Sequence, residues 1–192
     1  IYTLITVAAI AVLVATLLLP VLQVYGSSMT PTLSDRDIVV TLKTSKFETG
    51  DVIAFYYNNK ILIKRVIAHA GDWVDITPEG DVYVNGELLE EPYLEAKAFG
   101  DCNIEFPYQV PESRIFVMGD HRSISVDSRN TAVGCVAEEQ IVGKLTYSKG
   151  LYSSRRISLS SGIDGIYMIT LCKNINLMLK IPIFASVSMQ HN

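Results

Sequence analysis

Three features predict a mainly β chain, a barrel-like or sandwich domain preceded by one N-terminal transmembrane helix. Short apolar segments recur between turns rich in Gly, Asn and Pro. No alternation of strand and long helix, as βαβ units would give, interrupts them. Ahead of them, Ile1 to Ser34 carry no charge at all, and the first charged residue is Asp35. The 192 residues divide on this reading into an anchor at 1–24, a β-rich domain at 25–150 and a tail at 151–192.

The anchor rests on residues 1–24 being almost wholly apolar, since about 20 such residues span a bilayer. Pro20 falls near the end of the run, where a helix can stop. A cleavable leader has a shorter apolar core of about 7–15 residues and a small-x-small site after it, so an uncleaved anchor is the better reading. The chain opens on Ile1 rather than Met, so a further N-terminal stretch with positive-inside residues is expected ahead of it. A hydrophobic fraction of 49% and a mean hydropathy of +0.28 lean the same way.

The β domain reads strand by strand. Asp37 to Leu42 forms one strand, and Val52–Tyr57 with Ile61–Ala68 forms a hairpin about Asn58-Asn59-Lys60. Trp73–Ile76 and Val82–Val84 form a second hairpin, and Asn85-Gly86 marks another tight turn. Glu90 to Pro107 lacks periodicity and reads as an insertion. Arg114–Met118 is a strand, Glu138-Glu139-Gln140 a turn of helix, and Ile141–Tyr147 a last strand. The apolar stretch 163–187 is broken by Asp164, Lys173, Lys180 and Pro182, and so reads as peripheral rather than as a second span.

Chemistry is concentrated in three blocks. Ser28 lies in Gly26-Ser27-Ser28-Met29-Thr30-Pro31-Thr32-Leu33, Lys64 in Leu62-Ile63-Lys64-Arg65-Val66, and the third block runs from Gly119 to Arg129. A hydroxyl needs a base before it attacks a carbonyl, and a desolvated lysine can be that base. Strand alternation puts Lys64 on one face with Leu62, Val66 and Ala68, among apolar neighbours. Taken alone, such a lysine would usually lay its stem on apolar surface and keep its ammonium in water. To serve near pH 8 it must fall about two units from about 10.4, which burial can supply. A nearby carboxylate would oppose that fall, so Asp120 and Asp127 should be engaged by Arg65, Arg122 and Arg129. Both Ser27 and Ser28 are candidate nucleophiles on composition alone, and Gly26 permits the backbone approach that an oxyanion hole requires.

Together the blocks resemble bacterial type I signal peptidases, the membrane-anchored Ser/Lys endopeptidases that remove signal peptides from exported proteins. The resemblance covers the anchor and about 24–147. It implies Ser28, directly before Met29, as nucleophile and Lys64 as general base. It further implies that Ser125 orients the lysine, that Asp127 and Arg129 form a supporting ion pair, and that Asp120 and Arg65 form another. Gly26 stands where some members carry a side-chain oxyanion donor, which leaves backbone N–H groups at Gly26 and Ser28 and fits the Gram-positive branch. His121 stands where Asn is more usual and could add a titration of its own. The implied substrates are exported preproteins cut after small-x-small sequences, bound as an added strand. Val24, Met29, Leu33 and Ile63 are the expected pocket walls. The implied location is the cell membrane, single-pass, with the catalytic domain on the extracytoplasmic side, in contact with lipid and as a monomer.

Other classes fit less well. A net charge of −4 with no basic run argues against nucleic acid. Three cysteines without CxxC and three histidines without HExxH argue against a metal site, and the chemistry calls for no cofactor. A self-cleaving Ser/Lys repressor would carry a DNA-binding domain in place of the apolar run. A Ser-His-Asp hydrolase would need His69 or His121 in a triad context that is missing, such as a Gly-x-Ser-x-Gly elbow. A catalytically inactive homologue or membrane-tethered binding module would be favoured by loss of Ser28 or Lys64, and both are present. For Cys102 and Cys135, a disulfide and two free thiols both stay open.

Overall fold

A computed structural model of the chain describes residues 2–149, apart from the side chains of 15–18 and 147–149. The expected tail at 151–192 lies outside the described residues. The chain starts as one helix, α1 (Tyr2–Leu18), and continues as eleven strands. These are β1 (Val21–Gln23), β2 (Ile38–Leu42), β3 (Val52–Tyr57), β4 (Lys60–Ala68), β5 (Trp73–Ile76) and β6 (Val82–Val84). They continue as β7 (Glu87–Leu88), β8 (Tyr108–Gln109), β9 (Arg114–Met118), β10 (Val136–Ala137) and β11 (Ile141–Lys149). A 3-10 turn at Glu138–Gln140 precedes β11. The mainly β expectation holds.

Of the expected anchor at 1–24, the structure carries a helix shorter than the apolar run. The helix has 17 residues and ends before Pro20, which makes it about 26 Å long against a hydrocarbon core of about 30 Å. Among the described residues no helix is long and apolar enough to cross a membrane. Residues 21–24, read as part of the apolar span, belong to the β domain instead. Val21, Leu22 and Gln23 pair antiparallel with Val40, Val39 and Ile38, and Val24 N–H donates to Asp37 O at 2.8 Å. A strand rich in Val and Leu at the end of an apolar helix looks the same as more helix until its partner strand is known.

Seven strands form the main sheet in the order β1-β2-β11-β3-β4-β9-β10, and four form a smaller one, β7-β6-β5-β8. All of their pairings are antiparallel. The two-residue loop Asn58-Asn59 closes β3 on β4 with Tyr57 opposite Lys60, and Asn58 takes φ 51°. Asn85 and Gly86, at φ 54° and 84°, turn β6 into β7. Positive φ at both central residues matches the twist of a hairpin. From Ile61 to Ala68 every residue of β4 is buried, so its two faces serve two cores. Leu62 and Val66 pack with Ile53 and Phe55 on one side. Ile61 and Ile63 pack with Met29 and Leu33 on the other.

This layout brings the three chemical blocks together. Block one follows β1, block two is β4, and block three follows β9. β1 and β9 stand far apart in the sheet order, yet His121 N–H, just past β9, donates to Ser28 O, just past β1, at 3.0 Å. Blocks one and three therefore approach each other beside Lys64 on β4.

Candidate active site

Lys64 is 2% exposed and Ser28 1%. The Lys64 amine lies 2.8 Å from Ser28 Oγ and 2.9 Å from Ser125 Oγ. Ser125 Oγ in turn donates to Asp127 Oδ2 at 2.7 Å. That commitment sets the direction of the chain of bonds: with its own proton spent on Asp127, Ser125 can only accept from the lysine. One amine N–H is thereby fixed on Ser125, which holds the nitrogen within 2.8 Å of the Ser28 hydroxyl. Ser27 is not among the hydroxyls that reach Lys64.

Burial lowers Lys64 from the usual 10.5 to about 8. The Asp127 charge pulls it back up, Arg129 pushes it down, and Asp120 again raises it. The two aspartates are restrained by arginines, as the sequence predicts. Arg129 meets Asp127 through Nε and Nη2, both at 2.9 Å. Arg65 meets Asp120 through Nε at 2.8 Å and Nη2 at 2.5 Å. Burial by itself would raise the Asp127 carboxyl. Arg129, Lys64 and the Gly119 N–H outweigh it and hold the carboxyl below its ordinary value. Arg122 departs from the expectation, because its partner is Glu91 on the insertion and not an aspartate of the block.

Block one is shaped from several sides. Gly26, at φ 97°, adopts the left-handed conformation that its residue type allows. Its N–H, however, donates to Asp35 Oδ1 at 2.8 Å. Gly26 is therefore corrected as an oxyanion donor, and among the described residues the Ser28 N–H has no protein acceptor. Thr30 Oγ1 lies 2.9 Å from both Ser27 O and His121 Nδ1, which places His121 as a tie between the first and third blocks. Thr32 Oγ1 donates to Asp120 Oδ2 and accepts from Arg65 Nη2 at 3.1 Å.

The four residues expected as pocket walls share one place. Val24, Met29 and Ile63 are fully buried and Leu33 is 1% exposed, all within one apolar core. Met29 directly follows Ser28 and Ile63 directly precedes Lys64, so this core adjoins the reacting pair. Sequence reasoning missed Gly119 as a spacing residue. A Cβ there would fall 2.2 Å from Ser125 Oγ and 2.6 Å from Ser28 O. Its place at the head of the quoted block was the available signal. Glu91 and Tyr93 were missed with no local signal at all. Cys102 and Cys135 are free thiols, the first donating to Ile104 O at 3.5 Å.

Residues 1–148 match the family model described as "Signal peptidase, peptidase S26". The chain belongs to that family. It is 37% identical over 145 residues to a signal peptidase I of Bacillus amyloliquefaciens, covering 70% of this chain and 77% of the relative. To signal peptidase I S of Bacillus subtilis (strain 168) it is 36% identical over 130 residues, or 62% and 70%. To signal peptidase IB of Staphylococcus aureus (strain COL) it is 36% identical over 143 residues, or 64% and 73%. A crystal structure of a signal peptidase I from Enterococcus faecalis V583 matches 53% of this chain and 97% of its own, with 29% identity and a TM-score of 0.45. The chain is thus a bacterial type I signal peptidase of the Gram-positive type, an enzyme of the serine peptidase class that removes signal peptides.

Proposed function

We propose that this peptidase is a membrane-bound serine endopeptidase that uses Ser28 as nucleophile and Lys64 as general base. On this reading it cuts exported preproteins after small-x-small sequences. The observation that carries the reading is the 2.8 Å contact between the Lys64 amine and Ser28 Oγ inside a dry site. Neutral Lys64 takes the Ser28 proton as the oxygen attacks the scissile carbonyl. The tetrahedral oxyanion is stabilised by the Ser28 N–H, with Gly26 excluded by its bond to Asp35. The Lys64 ammonium then protonates the departing amine of the mature protein. Water, deprotonated by Lys64, attacks the acyl-enzyme and releases the signal peptide as a carboxylate. Ser125 holds the amine throughout, and Asp127–Arg129 with Asp120–Arg65 hold the loop.

The substrate adds as an extended strand at the edge of β1, which among the described residues pairs only with β2 and runs directly into the Ser28 block. The apolar N-terminal segment keeps the enzyme at the cell membrane in a single-pass arrangement, in contact with lipid. The catalytic domain then lies on the extracytoplasmic side as a monomer. Exposed Leu4, Val7 and Ile10 on α1 support a lipid contact.

The test is cleavage in detergent of a preprotein with an Ala-x-Ala junction, mapped by mass spectrometry across pH 6–10. Wild type is run beside Ser28→Ala, Ser27→Ala and Lys64→Ala. Cutting at the junction by wild type and Ser27→Ala only supports the reading. Folded wild type that cuts nothing would make the chain an inactive homologue or binding module. Activity surviving in Lys64→Ala would move the base elsewhere.

A further inference from the structure

The segment 90–107 contains no regular structure, yet it holds each of the three arginines around the site. Glu91 receives Arg122 on both carboxylate oxygens, from Nη1 to Oε2 at 2.9 Å and from Nη2 to Oε1. Both side chains are buried, Arg122 at 0% and Glu91 at 1% exposure. Tyr93 OH donates to Glu91 Oε1 at 2.7 Å, and the Tyr93 ring lies 3.8 Å from the Arg65 guanidinium carbon. Further along, Phe99 O accepts from Arg129 Nη1 at 2.6 Å.

From these anchors the connections run inward to the reacting pair. Arg122 Nε donates to Gly119 O at 3.1 Å, and Arg122 O accepts from Arg129 Nη2 at 3.0 Å. Gly119 N–H donates to Asp127 Oδ2, the same oxygen that orients Ser125 against Lys64. Arg65 binds Asp120, next to the His121 whose N–H holds Ser28 O.

We propose that segment 90–107 is a strap that positions the active site, with Glu91 and Tyr93 as its positioning residues acting through Arg122 and Arg65. A passive insertion would place exposed polar side chains over the domain. This one instead commits a buried carboxylate and an aromatic face to two arginines that themselves brace the base and nucleophile loops. A buried bidentate arginine–carboxylate pair fixes orientation as well as charge, so its loss lets the 119–129 loop drift. The proposal rests on the Ser28/Lys64 reading, and its test separates the two.

The full chain in detergent is compared as wild type, Glu91→Gln, Tyr93→Phe and Tyr93→Leu. Three quantities are read: kcat and KM on the Ala-x-Ala preprotein, thermal unfolding, and titration of Lys64 by NMR of 13C-labelled lysine. The charges that face Lys64 are Asp127, Arg129 and Asp120, and none of them is altered. Glu91→Gln is expected to lose about tenfold or more in kcat with KM changed by less than about twofold. Its Lys64 should titrate about one unit higher, because a loosened loop admits water. Tyr93→Leu should lose more kcat than Tyr93→Phe, which keeps the ring on Arg65. If folded Glu91→Gln and Tyr93→Leu keep wild-type kcat and Lys64 titration, the strap is refuted. Should Glu91→Gln fail to fold, the Tyr93 pair decides alone. If wild type itself does not cut, the functional reading fails while the titration still decides the strap.

Discussion

Replacing Lys64 with Met should make the protein more stable, and by an amount that depends on pH in a way only a buried base explains. Lys64 titrates at about 8 in the folded protein against 10.5 when exposed. That gap of 2.5 units corresponds to about 3 kcal/mol at 1.36 kcal/mol per unit. Between those two values the unfolded chain binds a proton that the folded chain has given up, so stability rises with pH across that window. Below pH 8 the folded protein holds a buried ammonium and bears the whole penalty; above 10.5 it bears none. Met fills similar volume and carries no charge, so the stability advantage of Lys64→Met over wild type should be about 3 kcal/mol larger at pH 7 than at pH 10.5. Every other titrating group is common to both proteins and cancels. Urea unfolding at the two pH values measures it. A difference that stays constant with pH would show that Lys64 keeps its ordinary pKa, and the dry-base argument would fall. The same gap bears on rate, since the neutral fraction at pH 7 is about a tenth, some 300-fold more than an exposed lysine offers.

Three further outcomes follow from the same contacts. Asp127→Asn leaves the Arg129 guanidinium buried without its carboxylate and should cost about 3 kcal/mol in urea unfolding. Because Asp127 raises the Lys64 pKa, the folded fraction of that variant should also show its alkaline rise in activity at lower pH. Ser125→Ala removes the acceptor that fixes the Lys64 amine, and kcat measured on the preprotein should fall about 100-fold while the fold survives. Gly119→Ala places a methyl 2.2 Å from Ser125 Oγ, so melting and peptide cleavage should report about 1–3 kcal/mol of overpacking and a displaced Ser28 loop.

The sequence made legible whatever is local. The β3–β4 hairpin is spelled out by alternation and by Asn58-Asn59, and β5–β6 by its Pro-Glu-Gly-Asp turn. Ser28, Lys64, Ser125 and Asp127 converge as their motifs imply, with block one after β1, block two on β4 and block three after β9. The failures are non-local. β1 is hidden inside an apolar run, and β8 and β10 are two-residue bridges too short to show a period. The Gly26 N–H is taken by a carboxylate nine residues on. Glu91 meets Arg122 across 31 residues, and no pattern in a segment without periodicity announces it.

On the proposed mechanism, a count of the charges around the site explains why the base can be a lysine. Three arginines, Arg65, Arg122 and Arg129, are matched by three carboxylates, Asp120, Glu91 and Asp127. Among the described residues no carboxylate is bonded to Lys64, whose partners are two hydroxyls. With Lys64 neutral the cluster is balanced, and with Lys64 protonated it carries one uncompensated positive charge in a dry place. The balance depends on Glu91: were Arg122 paired instead within its own block, it would compete for the aspartates that Arg65 and Arg129 hold. Starting from neutral Lys64, the proposed transfer of the Ser28 proton creates that positive charge as a negative oxyanion forms a few ångströms away. The charge that proton transfer places on Lys64 is thus met by the oxyanion, and the site stays balanced through the transition state.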